Sequence, residues 1–274
     1  MLTIKTYEKL HKFVNAFKQK KLNLLIIVSR GGLGKTFIAE DTLIEQAPLI
    51  ITGHCTPLRL YMEVLERTRE EKDFMLVFDD VDALLLNKDV VALLKQLCDT
   101  KKVKTIKYLT TSPILKKMPS EFETSCKVIM LMNTLKPEEP NVRALMSRAH
   151  LVHFTPPDIE ILNYMKNWAT DKVILKFIEQ YASFSKALNL RVYVRAKELK
   201  DSKLNWKQEV INVLKIDQKL FEISNLLQKY ETDKERVEEF IKKGFSRMTY
   251  FRYKKLFLAK TSKQIKSKYN INKK

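Results

Sequence analysis

Glycine is scarce in this chain, and its placement constrains the fold more than any other feature. Of 274 residues only five are glycine, and three of them, Gly31, Gly32 and Gly34, share one four-residue window. An average chain of this length would carry roughly 19. The window lies between an apolar, β-branched run, Leu24 to Val28, and a helix-forming stretch that starts near Lys35. A strand that feeds a glycine turn, which in turn opens a helix, aims backbone N–H groups and the positive end of a helix dipole at one point. That arrangement suits a polyphosphate.

The residues around the glycines supply the rest of such a site. In LNLLIIVSRGGLGKTFIAEDTLIEQ the loop Ser29, Arg30, Gly31, Gly32, Leu33, Gly34 would close around a β-phosphate. Lys35 would reach the β and γ oxygens, the Thr36 hydroxyl would ligate Mg2+, and Phe37 follows in the first helical turn. The pattern G-x-x-x-x-G-K-[ST] is met except at its first position, where Ser29 replaces glycine. That replacement is tolerable unless the position needs a positive φ. Farther on, DFMLVFDDVDALLL is an apolar strand ending in Asp79 and Asp80, 44 residues after Lys35. Asp79 would hold the metal, and Asp80 would orient or deprotonate an attacking water. ATP and Mg2+ are the expected cofactors.

Short apolar runs alternate with helical stretches as far as Phe154: Leu24 to Val28, Leu49 to Thr52, Phe74 to Phe78, Lys127 to Met132 and Leu151 to Phe154. This rhythm predicts an α/β fold with a parallel sheet covered by helices. After Pro156 the pattern is helical throughout. The expected division is an α/β nucleotide-binding core over 1–155, a small helical lid over 156–203 and a basic helical module over 204–274. Other classes drop out. The longest apolar run falls far short of the roughly 20 residues that cross a bilayer, and MLTIKTYEKLHKF lacks a signal-peptide core. No membrane partner and a cytoplasmic, host-cytoplasmic or nucleoid location are therefore expected. Cys55, Cys98 and Cys126 form no CxxC pair and read as buried thiols.

From about residue 20 to about 200 these motifs resemble the AAA+ P-loop ATPases. The resemblance implies that Lys35 and Thr36 are Walker A residues, that Asp79 is the metal-side Walker B acid and that Asp80 is the water-activating position, where the family more often has Glu. In KVIMLMNTLK, Asn133 would be sensor 1, which senses the γ-phosphate. The strand TIKYLTTSP, ending in Thr111 and Ser112, competes for that role; Asn133 is preferred because a short helix separates it from the Ser-Arg segment. Residues 103 to 126 then form an inserted hairpin that would touch DNA through Lys104, Lys107, Lys116 and Lys117. In NVRALMSRAHLVHF, Arg148 would be the arginine finger acting on a neighbouring subunit. In SFSKALNLRVYVRA, Arg191 would be sensor 2, with Arg195 as the alternative. A homo-oligomer, ring or filament and hexamer-like, follows from the same resemblance.

The charge is concentrated at the C-terminal end. The chain carries 51 Lys plus Arg against 32 Asp plus Glu, for a formal +19, and residues 241 to 274 hold twelve basic and no acidic residues. Within TDKERVEEFIKKGFSRMTYFRYKKLF, Thr232 and Glu235 have capping-box spacing, Gly244 marks a turn, and a second helix is expected from Ser246. Helix, glycine turn and basic helix make a helix-turn-helix pattern. Arg247, Thr249, Tyr250, Arg252, Lys254 and Lys255 would meet DNA bases and phosphates. The function expected from the sequence is an ATP-hydrolysing oligomer acting on DNA in replication initiation or helicase loading, in a virus, phage or mobile element, with a helicase or recombinase as a further partner. The alternatives are a transposition or recombination regulator and a non-hydrolysing ATP-dependent DNA-binding switch.

Overall fold

The computed structural model describes residues 1–81, 85, 87–109, 118–135, 140–185 and 187–271. The chain forms two compact units, Met1–Pro157 and Asp158–Lys274.

In the first unit the chain runs β1 (Leu2–Ile4), α1 (Tyr7–Lys18), β2 (Leu24–Val28), α2 (Lys35–Leu43), β3 (Leu49–Thr52), α3 (Pro57–Glu70), β4 (Met75–Asp79) and α4 (Lys88–Leu97). It continues through β5 (Lys104–Lys107), β6 (Glu121–Thr124), β7 (Lys127–Met132), α5 (Pro140–Met146) and β8 (His150–Phe154). Six strands make one sheet in the order β1-β8-β2-β7-β4-β3, and every pairing in it is parallel. All five residues of β2 are buried, as are the last five of β7. Strands covered on both faces lose the apolar–polar alternation of a half-exposed sheet, which explains the unbroken apolar runs in the sequence. The edge strand β1 has only three residues and no flanking turn signal, and it was not expected from the sequence; it pairs with β8 from Leu2↔Val152 to Ile4↔Phe154.

Helix starts follow local chemistry. Thr56 caps α3 by accepting from the Arg59 N–H, with Pro57 in the first turn, where its missing N–H costs nothing. The strands β5 and β6 form a separate antiparallel pair, from Lys104↔Thr124 to Lys107↔Glu121. Tyr61 of α3 holds this hairpin: its hydroxyl donates to the Pro119 carbonyl at 2.7 Å, and its ring packs against Tyr108 and Phe122. The hairpin expected over 103–126 is thus present at its base.

The second unit is helical: α6 (Asp158–Trp168), α7 (Lys172–Ala182), α8 (Arg191–Asp201), α9 (Trp206–Val213), α10 (Gln218–Lys229), α11 (Asp233–Lys242) and α12 (Arg247–Ile271). Thr232 and Glu235 close the capping box on α11. Gly244 turns the chain with φ +86°, a value that only glycine adopts freely, and α12 then runs for 25 residues. Among the described residues no helix is long and apolar enough to cross a membrane.

Candidate functional site

The site is built at the carboxyl ends of three adjacent strands. Because β7 lies between β2 and β4, residues just past each strand converge there. After β2 the loop turns through Gly32 (φ +79°) and Gly34 (φ +83°), and Gly34 is the N-cap of α2. Neither position would hold a side chain without strain. Ser29 does not adopt a positive φ, so its replacement of glycine carries no backbone penalty. It is 1% exposed, and its N–H donates to the Met132 carbonyl at 3.1 Å, extending the β2–β7 ladder by one residue. The Leu33 side chain is buried in the core, so only its backbone is available to a ligand, whereas Phe37 is 64% exposed.

Lys35 and Thr36 start α2 with their side chains already directed. The Lys35 Nζ donates to the Ser29 carbonyl at 2.8 Å and to Asn133 Oδ1 at 3.1 Å. The Thr36 hydroxyl lies 3.0 Å from both carboxylate oxygens of Asp79. Burial pushes the Asp79 carboxyl above its ordinary value; the Thr36 hydrogen bond opposes this, neighbouring Asp80 adds to it, and Lys35 opposes it further. A hydroxyl and a carboxylate in contact, half-buried and beside a lysine, are donors of the kind Mg2+ takes together with phosphate oxygens and waters. No group of three or more His, Cys, Asp or Glu side chains fit to hold a metal alone occurs among the described residues.

Asn133 joins the two sides. Its Nδ2 donates to Asp80 Oδ1 at 2.8 Å while its Oδ1 accepts from Lys35. Asp80 itself sits at φ +52°, in the left-handed region, with its N–H donating to the Leu131 carbonyl at 3.3 Å. Aspartate tolerates that conformation better than most residues, and strain of this kind collects at functional sites. A Cβ on Gly31 would lie 3.7 Å from Asn133 Oδ1, an ordinary contact. Thr111, the competing sensor 1 position, lies outside the described residues, as do Lys116 and Lys117 of the hairpin.

The arginines expected to act on nucleotide have separate surroundings. The half-buried Arg148 follows α5, and its guanidinium donates to the Lys95 carbonyl in the last turn of α4 at 3.3 Å. Arg191 is the exposed first residue of α8 in the second unit. Arg195, one turn on, pairs with Glu209 at 2.7 Å.

The basic residues divide into exposed and interior groups, and the expected DNA contacts need correcting accordingly. Lys104 is 1% exposed, with its ammonium on the Cys126 carbonyl at 2.5 Å, and burial lowers its pKa. Lys107 pairs with Glu121 at 2.7 Å. On α12, Tyr250 is fully buried against Phe240, and its hydroxyl donates to Asp233 at 2.8 Å. Lys254 pairs with the same carboxylate at 2.5 Å. Thr249 is half-buried, its N–H accepted by Ser246 Oγ at 3.2 Å at the helix start. Arg247, Arg252 and Lys255 remain exposed. The signal that separates these groups was in the sequence: Tyr250, Lys254 and Phe257 follow i, i+4, i+7 spacing, the stripe by which a helix faces its core. Asp233, the anchor that Tyr250 and Lys254 meet, was missed because these partners lie 17 and 21 residues away.

No family model and no curated protein matches the sequence. Among solved structures, the Thermotoga maritima RuvB Holliday junction branch migration motor is similar at 15% identity, with 82% of this chain and 77% of that one covered and a TM-score of 0.48. An E. coli MS115-1 structure of a HORMA:CdnC:Trip13 complex is similar at 12% identity, with 76% of this chain and 86% of that one covered and a TM-score of 0.43. Similarity at this level adds nothing to the strand order and site geometry described above.

Proposed function

We propose that the chain is a Mg2+-dependent ATPase of the AAA+ type that works as an oligomer and acts on DNA. One observation carries the reading: Lys35, Asn133 and Asp80 form a continuous chain of hydrogen bonds across the ends of β2, β7 and β4, beside the Thr36–Asp79 pair. Bound Mg2+–ATP supplies the γ-phosphoryl group and the metal charge. Lys35 would exchange the Asn133 amide for phosphate oxygens, and Thr36 and Asp79 would meet the metal side. Asp80 would accept a proton from the attacking water, with Asn133 fixing its orientation. Arg148 would leave the Lys95 carbonyl for a neighbouring subunit's phosphate, and Arg191 would meet the nucleotide from the lid.

Action on DNA is supported by the exposed Arg247, Arg252 and Lys255 and by the lack of any acidic residue from 241 onward. Replication initiation, helicase loading and regulation of recombination are the settings that the AAA+ resemblance offers. A second reading, a switch that holds ATP without turnover, is favoured by the engagement of Asp80 Oδ1 with Asn133. The test is phosphate release from ATP, with and without duplex DNA, for the wild type and for a variant in which Arg247, Arg252 and Lys255 are alanine. Turnover by the wild type supports the ATPase reading, and its absence with retained ATP binding leaves the switch. DNA affinity unchanged in the variant would remove α12 from the interface.

A further inference from the structure

The outer face of α12 carries large apolar groups where a purely phosphate-binding helix would need none. Met248 is 84% exposed and Phe251 43% exposed. At 100° per residue, Met248, Phe251 and Lys255 fall on one side of the helix, with Arg247 and Arg252 flanking them. Tyr250 and Phe257 occupy the opposite, buried side. Arg247 lies over the Phe251 ring at 5.9 Å, so the aromatic group and the cation are presented together.

The composition of this face restricts what it reads. Over its first three turns the exposed positions are Arg247, Met248, Phe251, Arg252, Lys255 and Leu256, with no Asn or Gln to pair with adenine. Arginine reads guanine or phosphate, and apolar side chains in the major groove meet one group above all, the 5-methyl of thymine. The groove is about 12 Å wide and admits one helix. Charge favours an anionic partner, since no acidic residue occurs from 241 to 274.

Resting on the DNA-binding reading above, we propose that the N-terminal turns of α12 enter the major groove of duplex DNA and that Met248 and Phe251 read thymine methyl groups. The favoured site is then rich in thymine, with arginine contacts at its borders. Discrimination comes from burial of methyl surface, and affinity comes from Arg247, Arg252, Lys255 and the basic stretch beyond them.

The test uses the full chain at one fixed salt concentration with two alternating copolymer duplexes, poly(dA-dT) and poly(dA-dU), which differ only in the thymine methyl. The wild type should bind poly(dA-dT) more tightly, by about fourfold for each methyl buried. In the double variant Met248→Ala, Phe251→Ala the ratio should fall to about one. Both side chains lie on the surface, and an unchanged unfolding midpoint would show that the variant keeps its fold. Equal wild-type affinity for the two polymers overturns the proposal. A ratio that persists in the double variant also overturns it, since polymer shape is then the cause. If the double variant changes the oligomeric state and leaves the ratio intact, the face belongs to a second copy of the chain. Failure of the underlying reading looks different: neither polymer would show salt-dependent binding at all.

Discussion

At the glycine loop after β2, side chains gathered at three strand ends bond one another: Lys35 to Asn133, Asn133 to Asp80, and Thr36 to Asp79. In the C-terminal helices a single carboxylate, Asp233, gathers Lys254, Arg236 and Tyr250 and leaves Arg247, Arg252 and Lys255 outside. The two networks use the same kinds of residue for different ends. Each bond in the first is one that a phosphate oxygen or a metal ion could replace, so the network holds its members ready to exchange partners. In the second, the charges are consumed in joining α11 to α12, and only the residues the anchor does not use stay open to solvent. A polar residue's role therefore depends less on its type than on whether its present partner can be traded for a ligand.

The largest effect should come from Lys35→Ala. It removes the cation that bridges Ser29 and Asn133 and would meet the phosphates, and turnover should fall on the order of a hundredfold or more, with ATP affinity reduced in a nucleotide-binding titration. Unaltered binding and turnover would mean that the loop does not hold nucleotide. Asp80→Asn comes next. It preserves the shape and removes the base, so ATP hydrolysis should drop on the order of a hundredfold while ATP binding survives and an oligomer accumulates in ATP. If ATP is held but never turned over, the substitution changes nothing measurable, which is the outcome the switch reading requires.

The anchor at Asp233 should answer to stability rather than turnover. The Lys254 ammonium, the Tyr250 hydroxyl and Arg236 hold its carboxyl down to about 2 from an ordinary 3.8. A depressed carboxylate contributes stability that is fully present above the unfolded value and is lost as pH falls through the folded one. The loss belongs between pH 3.8 and about 2. Because the side chain is 41% exposed, solvent screening reduces the contribution to about 1 kcal/mol. Asp233→Asn should lower the urea midpoint accordingly at neutral pH and flatten the acid limb. An unchanged midpoint would mean that the three partners are ornaments of a surface charge.

The same contrast explains what the sequence made legible. The glycine turn between β2 and α2 could be read because glycine, lysine and threonine are contiguous and their backbone geometry is local. The place of Asp79 and Asp80 at the end of β4 could be read because an apolar strand ends on them. Asn133 was placed by its position after a strand, and its contact with both Lys35 and Asp80 follows from β7 lying between β2 and β4, which no local pattern states. The exposed set on α12 was misread at Tyr250 and Lys254, since basic and aromatic residues serve a groove or a core equally well until the buried stripe is counted. Lys104 was misread for a related reason: its alternating strand pattern looks solvent-facing, and only pairing with Thr124 shows that it points inward.

The smallest effect gives the sharpest version of the comparison, because it concerns adjacent residues of the same type. Lys254 faces inward to Asp233, and Lys255 is exposed. Lys255→Ala should weaken duplex DNA binding a few-fold and reduce the slope of log affinity against log salt by about 0.9, the loss of one phosphate contact. Its unfolding free energy should stay within about 0.5 kcal/mol of the wild type. Lys254→Ala should do the reverse, lowering the midpoint and leaving the salt slope alone. Parallel urea titrations and salt-dependent binding isotherms on the two variants would check this. Equal salt slopes for both variants would show that the groove takes the whole circumference of α12 and that the Asp233 pairing opens when DNA binds. A slope change in Lys254→Ala alone would place the wrong face against DNA.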